Sequence, residues 1–332
     1  MEKTKIILDV DTGSDDAVAI MAALLCPDIE VLGICSTHGN RDIDTTTSNT
    51  LRVVELLKSN VPVYRGAAAP VVKYLCPDRL GNRWADDKAM KAIEVDGKQV
   101  TMHADFDTIP MNTTHEQDMS ATEFYLHCLR TVKEPITIVT TGPMTNLALA
   151  LRASPSIKKN IKEIVSMAGA HVIGNGTPRG EGNVIMDPEA CQMVLEAGCK
   201  MTMVPLDATH EAYITKADCE KIRALNTVAG NFAADQIEQR IIVHDKFQPL
   251  AELGAAAVHD PLCIAYLIDP ECLKDVRHVF CVVGLRDFSE GNTIIDQRYY
   301  TDPPNVYFAY HGDRHRFVKV LLDLFARSEK AE

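Results

Sequence analysis

The stretch Ile6-Ile7-Leu8-Asp9-Val10-Asp11-Thr12-Gly13-Ser14-Asp15-Asp16-Ala17-Val18-Ala19-Ile20 decides how the chain is read. The apolar run Ile6 to Leu8 stops at Asp9-Val10-Asp11, the pattern of a buried strand emptying into a loop. Ser14 then offers an N-cap, acids occupy the first turn, and an apolar helix follows from Ala17 to Cys26. Four carboxylates (Asp9, Asp11, Asp15 and Asp16) fall within eight residues at this strand end. Like charges that close repel unless a cation or protons relieve them. A solvated turn serving the helix dipole accounts for Asp15 and Asp16, but not for Asp9 and Asp11.

Outward from this stretch the alternation of strand and helix continues. Ile29 to Cys35 reads as a second strand, and a helix with an apolar stripe at Leu51, Val54 and Leu57 follows. Ile136 to Val139 and Ile164 to Met167 are strands, each opening into a glycine-containing loop. A helix after Pro188, a strand at Met201 to Val204 and a helix near Ala255 to Ile268 complete the core. Val279 to Gly284 and Thr293 to Ile295 read as late strands on an antiparallel edge, before a final helix carrying Phe317, Val320, Leu321 and Leu324. The pattern predicts an α/β fold: an open, mostly parallel, doubly wound sheet with helices on both faces. Ligands of such sheets bind at the C-terminal ends of the strands. Residues 75–120 break the rhythm as a polar, irregular insertion holding the sole tryptophan, Trp84, which with Arg79 and Arg83 reads as local packing. The whole chain, 1–332, is expected to form one domain.

Composition narrows the class. With 332 residues, 46% hydrophobic and 24% charged, the chain is ordinary for a globular protein. A formal net charge of -12 makes nucleic acid an unlikely ligand, because that surface repels phosphate. The ten cysteines include no CxxC pair and sit mostly in apolar runs, as reduced buried thiols do. There is no signal-peptide pattern at the start and no uncharged stretch long enough to span a bilayer. No membrane association and a cytoplasmic location are expected.

The acidic cluster calls for a hard cation. Oxygen ligands without clustered His or Cys point to calcium or magnesium over zinc. No EF-hand, Walker A or dinucleotide fingerprint is present, so the ligands must converge from several loops. His259-Asp260-Pro261 supplies a further acid just before an apolar helix, where Asp260 could equally be a simple cap. Asn40 follows the second strand, and Asn175, Glu181 and Asn183 lie in the glycine-rich run after Met167, offering polar groups suited to hydroxyls.

These blocks, taken together, closely resemble the inosine-uridine-preferring nucleoside hydrolases. The matches are D-x-D-x-G-x-D-D-A-x-A-I from Asp9, Gly-Asn at 39–40, Thr-Gly-Pro-Met-Thr-Asn-Leu-Ala at 141–148 and Met-Ala-Gly at 167–169. Glu-Gly-Asn at 181–183, Asp-Pro-Glu-Ala at 187–190 and His-Asp-Pro-Leu at 259–262 follow in the same order. The resemblance implies cleavage of the bond between base and ribose in a ribonucleoside. It implies a Ca2+ ion held by Asp11, Asp16, Asp260 and the carbonyl of Thr141, with Asp11 as the base for the attacking water. Asp15 and Asn40 would bind ribose hydroxyls; Asn175, Glu181 and Asn183 would hold the 3′- and 5′-hydroxyl side, with Met167 beneath the sugar. Asp9 would support the cluster from behind, and His259 would be the acid for the leaving base. A homo-oligomer, dimer or tetramer, is likewise what the resemblance implies.

Some positions depart from the family pattern. Thr12 replaces the usual proline, which should loosen the first turn, and Gly182 replaces an aromatic, which should open the pocket near the sugar's 5′ side. Val243 to Pro249 lacks the tyrosines that many relatives place around the base, and in 75–120 only His103-Ala104-Asp105 echoes their flap. An intact ribose site with a base preference shifted toward a modified or purine-like base is therefore expected. Two rival classes remain: a haloacid-dehalogenase-like phosphatase with Asp9 as nucleophile, and a non-catalytic nucleoside- or sugar-binding protein. General acids contribute roughly 100- to 10,000-fold, so His259→Ala should slow the poorest leaving groups most. Unchanged turnover of inosine by that variant would remove the assignment.

Overall fold

The computed structural model describes residues 3–76, 78–79, 93–95, 97–103, 106, 108–298 and 303–331. In chain order its strands are β1 (Thr4–Val10), β2 (Ile29–Ser36), β3 (Val63–Tyr64), β4 (Ile93–Val95), β5 (Lys98–Val100), β6 (Ile136–Thr140) and β7 (Ile161–Met167). Then come β8 (Met201–Val204), β9 (Tyr213–Thr215), β10 (Ala255–Ala257), β11 (Leu273–Val283), β12 (Thr293–Asp296) and β13 (Val306–Gly312). Nine of them form one sheet in the order β12-β11-β13-β8-β7-β6-β1-β2-β3. From β13 to β3 every neighbouring pair runs parallel, while β11 is antiparallel to both β12 and β13.

The alternation within β1 shows why the sheet is covered twice. Ile6, Leu8 and Val10 pack into one apolar cluster with the helices Ser14–Leu25, Val228–Phe247, Pro261–Ile268 and Arg314–Phe325. Ile7 faces the other way, into a cluster with the helices Ala121–Thr131, Thr145–Ala153 and Pro188–Glu196. Successive side chains on a strand point to opposite faces, so a strand that is apolar throughout must be roofed on both sides. The chain starts in the middle of the sheet, winds through β2 and β3 to one edge, and then resumes with β6 on the other side of β1. Strand order therefore reverses between β1 and β6, and the crevice beyond their carboxyl ends is where such sheets bind ligands.

The doubly wound, mostly parallel sheet agrees with the sequence pattern, including the antiparallel edge at β11 and β12. Other elements differ. Ala255–Ala257 is a strand paired with β9, and the helix begins only at Pro261, because proline favours the first helical turn. β4 and β5 form a hairpin inside the stretch read as irregular, whereas Trp84, Arg83, Ala104 and Asp105 lie outside the described residues. Gly13, not Ser14, precedes the first helix; its amide donates to Asp16 Oδ2 at 2.9 Å, and Ser14 Oγ reaches the carbonyl of Met102 instead. At Thr12, the residue in place of the usual proline, the hydroxyl pairs with Thr50 Oγ1 at 2.7 Å and the carbonyl accepts from Asn49 at 3.1 Å. All ten cysteines are free thiols, eight of them buried. Among the described residues no helix is long and apolar enough to cross a membrane.

Asp9 belongs to the packing under the sheet. Its carboxyl accepts from Tyr125 Oη at 2.9 Å and Asn146 Nδ2 at 3.1 Å. Burial pushes it up to about 8, against those two hydrogen bonds. Tyr125 is itself fully buried, and removing its hydroxyl strips a donor from a buried acceptor. Tyr125→Phe is expected to cost about 1–3 kcal/mol, read as a lower midpoint in thermal or denaturant unfolding.

Candidate active site

Five chain segments end in the crevice beyond β1 and β6. Asp11 leaves β1, Asn40 follows β2, Thr141 follows β6, Met167 ends β7, and Asp260 stands at the entrance to the helix Pro261–Ile268. Together with Asp15, Asn175, Glu181, Asn183 and His259 they line a cavity of about 700 Å³, within the ordinary size of a small-molecule site. Asp16 lies directly below the lining, with no exposed surface. The residues expected to hold the metal and the sugar, and His259, are thus brought together, whereas Asp9 is not in the lining.

The cluster is held by donors from four directions. Asn40 gives its backbone amide to Asp11 Oδ2 at 2.7 Å and its side-chain amide to Asp16 Oδ2 at 3.2 Å. Thr141 Oγ1 donates to Asp16 Oδ1 at 2.7 Å. Gly39 has φ +156°, and a Cβ there would lie 1.9 Å from Asp11 Oδ2, so only glycine lets this turn close on the carboxylate. Burial pushes Asp11 and Asp260 well above the ordinary carboxylate range, and the neighbouring aspartates add to it. Asp16 rises to about 6 through burial and the charge of Asp15. Burial would raise Asp15 as well, but the Arg240 guanidinium at 2.9 Å, helped by His103 at 3.6 Å, overrides it and holds the carboxyl below its usual value.

This arrangement fits a hard divalent cation. Oxygens of Asp15, Asp16 and Asp260 approach within 4.8 Å of one another, and Asp11 Oδ1 is buried without any hydrogen-bond partner. Asp260 occupies an N-cap position yet makes no capping bond with its side chain, so the simple-cap reading falls away. A set of carboxylates with no imidazole or thiolate among them suits calcium or magnesium.

On the opposite wall, Glu181 is anchored by backbone amides. It accepts from Asn183 N at 2.8 Å, Gly169 N at 3.1 Å and Val184 N at 3.2 Å, capping the short helix Gly182–Met186. Burial nevertheless lifts it to about 7. Asn183 Nδ2 donates to the carbonyls of Thr141 at 2.7 Å and Met167 at 3.0 Å, tying this wall to β6 and β7. Asn175 Oδ1 accepts from Gly182 N at 2.8 Å. A side chain at position 182 would meet only Asn175 Oδ1 at 3.7 Å, so glycine does leave room there.

His259 is 6% exposed, and its Nδ1 pairs with Thr209 Oγ1 at 2.7 Å. Burial drives its imidazole well below the ordinary range, with Arg240, His210, His244 and His103 adding to the effect. The sequence reading missed Arg240, which donates to Asp15, to Ser14 Oγ at 2.9 Å and to the carbonyl of Ala257 at 3.2 Å. One signal was present: an arginine on the apolar stripe Ile237, Arg240, Ile241, His244 must have a buried partner. The same helix ends in Val243, Phe247 and Gln248, which line the cavity with Pro249, Met102 and Ile173. Arg79 is not in the cavity lining; it pairs with Glu189 and Glu290 elsewhere.

Comparison with known proteins settles the class. The model of the inosine-uridine preferring nucleoside hydrolases matches residues 6–319. The chain belongs to that family. The pyrimidine-specific ribonucleoside hydrolase RihA of Escherichia coli K12 is 35% identical over 320 residues, covering 96% of this chain and 97% of that one. A purine-preferring ribonucleoside hydrolase from Gardnerella vaginalis superposes with a TM-score of 0.81 at 31% identity, covering 97% and 98% of the two chains. A plant nucleoside hydrolase gives 0.82 at 25% identity, covering 97% and 99%. This nucleoside hydrolase cleaves ribonucleosides to base and ribose, and its aspartate cluster is a metal-site candidate.

The phosphatase alternative fails on geometry as well as on family. Asp9, its would-be nucleophile, faces away from the cavity onto Tyr125 and Asn146. Arg240, by contrast, is the counter-charge of a buried acid. Removing one partner of a buried ion pair typically costs about 3–5 kcal/mol. Arg240→Met is expected to show a loss of that order in unfolding, together with a fall in ribose release.

Proposed function

We propose that this nucleoside hydrolase works with calcium held by Asp11, Asp16, Asp260 and the carbonyl of Thr141. The observation that carries the proposal is Asp11 Oδ1, a buried carboxylate oxygen with no hydrogen-bond partner among the described residues, near the group in which oxygens of Asp15, Asp16 and Asp260 lie within 4.8 Å of one another. When bound, the ion would polarise a water and favour the ionised form of its carboxylates. Asp11, its other oxygen fixed by Asn40, takes the proton of the attacking water. Asp15 and Asn40 bind ribose hydroxyls; Asn175, Glu181 and Asn183 hold the 3′- and 5′-hydroxyl side over Met167. Cleavage builds positive charge on the ribose, and the surrounding carboxylates stabilise it electrostatically. His259 is the acid proposed for the departing base, and burial means that it would act from its neutral imidazole.

For the base, the wall of Met102, Ile173, Met186, Val243 and Phe247 offers apolar contact, with no tyrosine among the described lining residues. We read it as accepting a purine-like or modified base. The RihA relative is pyrimidine-specific, which favours a pyrimidine instead. A single domain spanning 1–332, a cytoplasmic location and a homo-oligomer complete the proposal.

Reducing-sugar release from inosine, uridine, adenosine and modified purine ribosides, with calcium and after chelation, tests it. Activity should disappear on chelation and return with calcium. Binding of intact nucleoside without release would favour a non-catalytic protein, and a clear preference for uridine would overturn the base assignment.

A further inference from the structure

Behind the wall that carries Glu181 and Asn183 lies a charged network that no step of the reaction uses. Lys73 is fully buried, an expensive placement for an ammonium unless its partners are good. Its Nζ donates to the carbonyl of Ile185 and stands 3.7 Å from Glu290 Oε1. Glu290, 2% exposed, also pairs with Arg79 Nε at 3.2 Å. Arg79 in turn reaches Glu189 at 2.5 Å and donates to the carbonyl of Leu285 at 2.7 Å.

Ile185 belongs to the helix Gly182–Met186, only five residues long. So short a helix leaves most of its backbone groups without internal partners and is not stable by itself. Its position must come from outside. At the N-terminal end the Glu181 carboxylate accepts from the free amides; at the C-terminal end the Lys73 ammonium donates to a carbonyl. Anion at the start and cation at the finish both complement the helix dipole. Gly291 closes the clamp from the side, since a Cβ there would lie 2.3 Å from Ile185 Cγ1.

We propose that Lys73 is a positioning residue for hydrolysis, fixing the helix Gly182–Met186 from behind so that Glu181 and Asn183 are held at the ribose. The inference rests on the reading of those two residues as contacts to the sugar's 3′- and 5′-hydroxyl side. The plainer alternative is that Lys73 only fastens the segment around residue 73 to the loop that carries Glu290.

The two roles separate in a cycle of variant against substrate. Inosine and uridine, each with its 5′-deoxy analogue, are assayed on the wild-type enzyme and on Lys73→Met, with metal content measured in both. Glu290 keeps Arg79 as a partner in that variant, which favours folding. Displacements near 1 Å can cost roughly 100-fold. The parent nucleosides should therefore lose about 10- to 100-fold in kcat/KM, the 5′-deoxy analogues much less, and bound metal should not change. Equal losses for parent and analogue, or none, overturn the inference alone. A wild-type enzyme indifferent to the 5′-hydroxyl overturns the sugar-contact reading and the inference with it. If Lys73→Met does not fold, Lys73→Gln carries the same comparison, and failure of both to fold assigns Lys73 a structural role and overturns the proposal.

Discussion

Four aspartates, Asp11, Asp15, Asp16 and Asp260, are taken out of water in one crevice, and the architecture around them answers that constraint. Bringing ionised carboxylates together in a medium of low dielectric raises their proton affinity. The fold opposes this with the Asn40 amides, the Gly13 amide, the Thr141 hydroxyl and one guanidinium, Arg240. Those donors reach Asp11, Asp15 and Asp16 but leave Asp11 Oδ1 and the Asp260 side chain to something else. An arrangement with charge left over in one direction is built to receive a cation and the oxygens that come with it.

The crevice can be this acidic because of where it lies. Parallel strands end together, and at the β1–β6 reversal their loops diverge, so β1, β2, β6 and β7 each deliver a residue without crowding backbone into the cavity. The two walls then differ in chemistry. One is carboxylate and amide, tied together by hydrogen bonds shorter than 3.3 Å. The other is formed by the end of the helix Val228–Phe247 and by Met102 and Ile173, and is largely apolar. A ribose with its hydroxyls suits the first wall; a flat, weakly polar base suits the second.

Support from behind matters as much as the lining. Arg240 reaches the acids from a helix more than two hundred residues later in the chain, and Lys73 reaches the wall of Glu181 and Asn183 from the far side of a five-residue helix. Both are long, buried cations that join several buried acceptors at once; that is how a loop-built site obtains the rigidity its backbone lacks.

How much of this was legible follows from how local each feature is. Apolar strands alternating with amphipathic helices mark the doubly wound sheet within short windows, and Asp11, Asp15 and Asp16 announce themselves as a cluster in one loop. Asn40, Asp260 and the pair Glu181 and Asn183 were found because they lie in three short blocks, 39–40, 259–262 and 181–183. Local chemistry also carried signals that went unread: Ser120 and Glu123 form a reciprocal cap that begins the helix Ala121–Thr131. Other features depend on contacts across the fold. Whether Asp9 points to the cavity or beneath the sheet depends on the pleat of β1 and on Tyr125, 116 residues away. That Ser14 is no cap depends on Met102 and Arg240. The sequence by itself determined the sheet, the acidic loop and the chemistry that such oxygens support, because period and spacing are properties of neighbouring residues. Only the tertiary structure decided which carboxylates face one another, which cation steadies them and what lies behind each wall, because those pairings join residues that the chain keeps far apart.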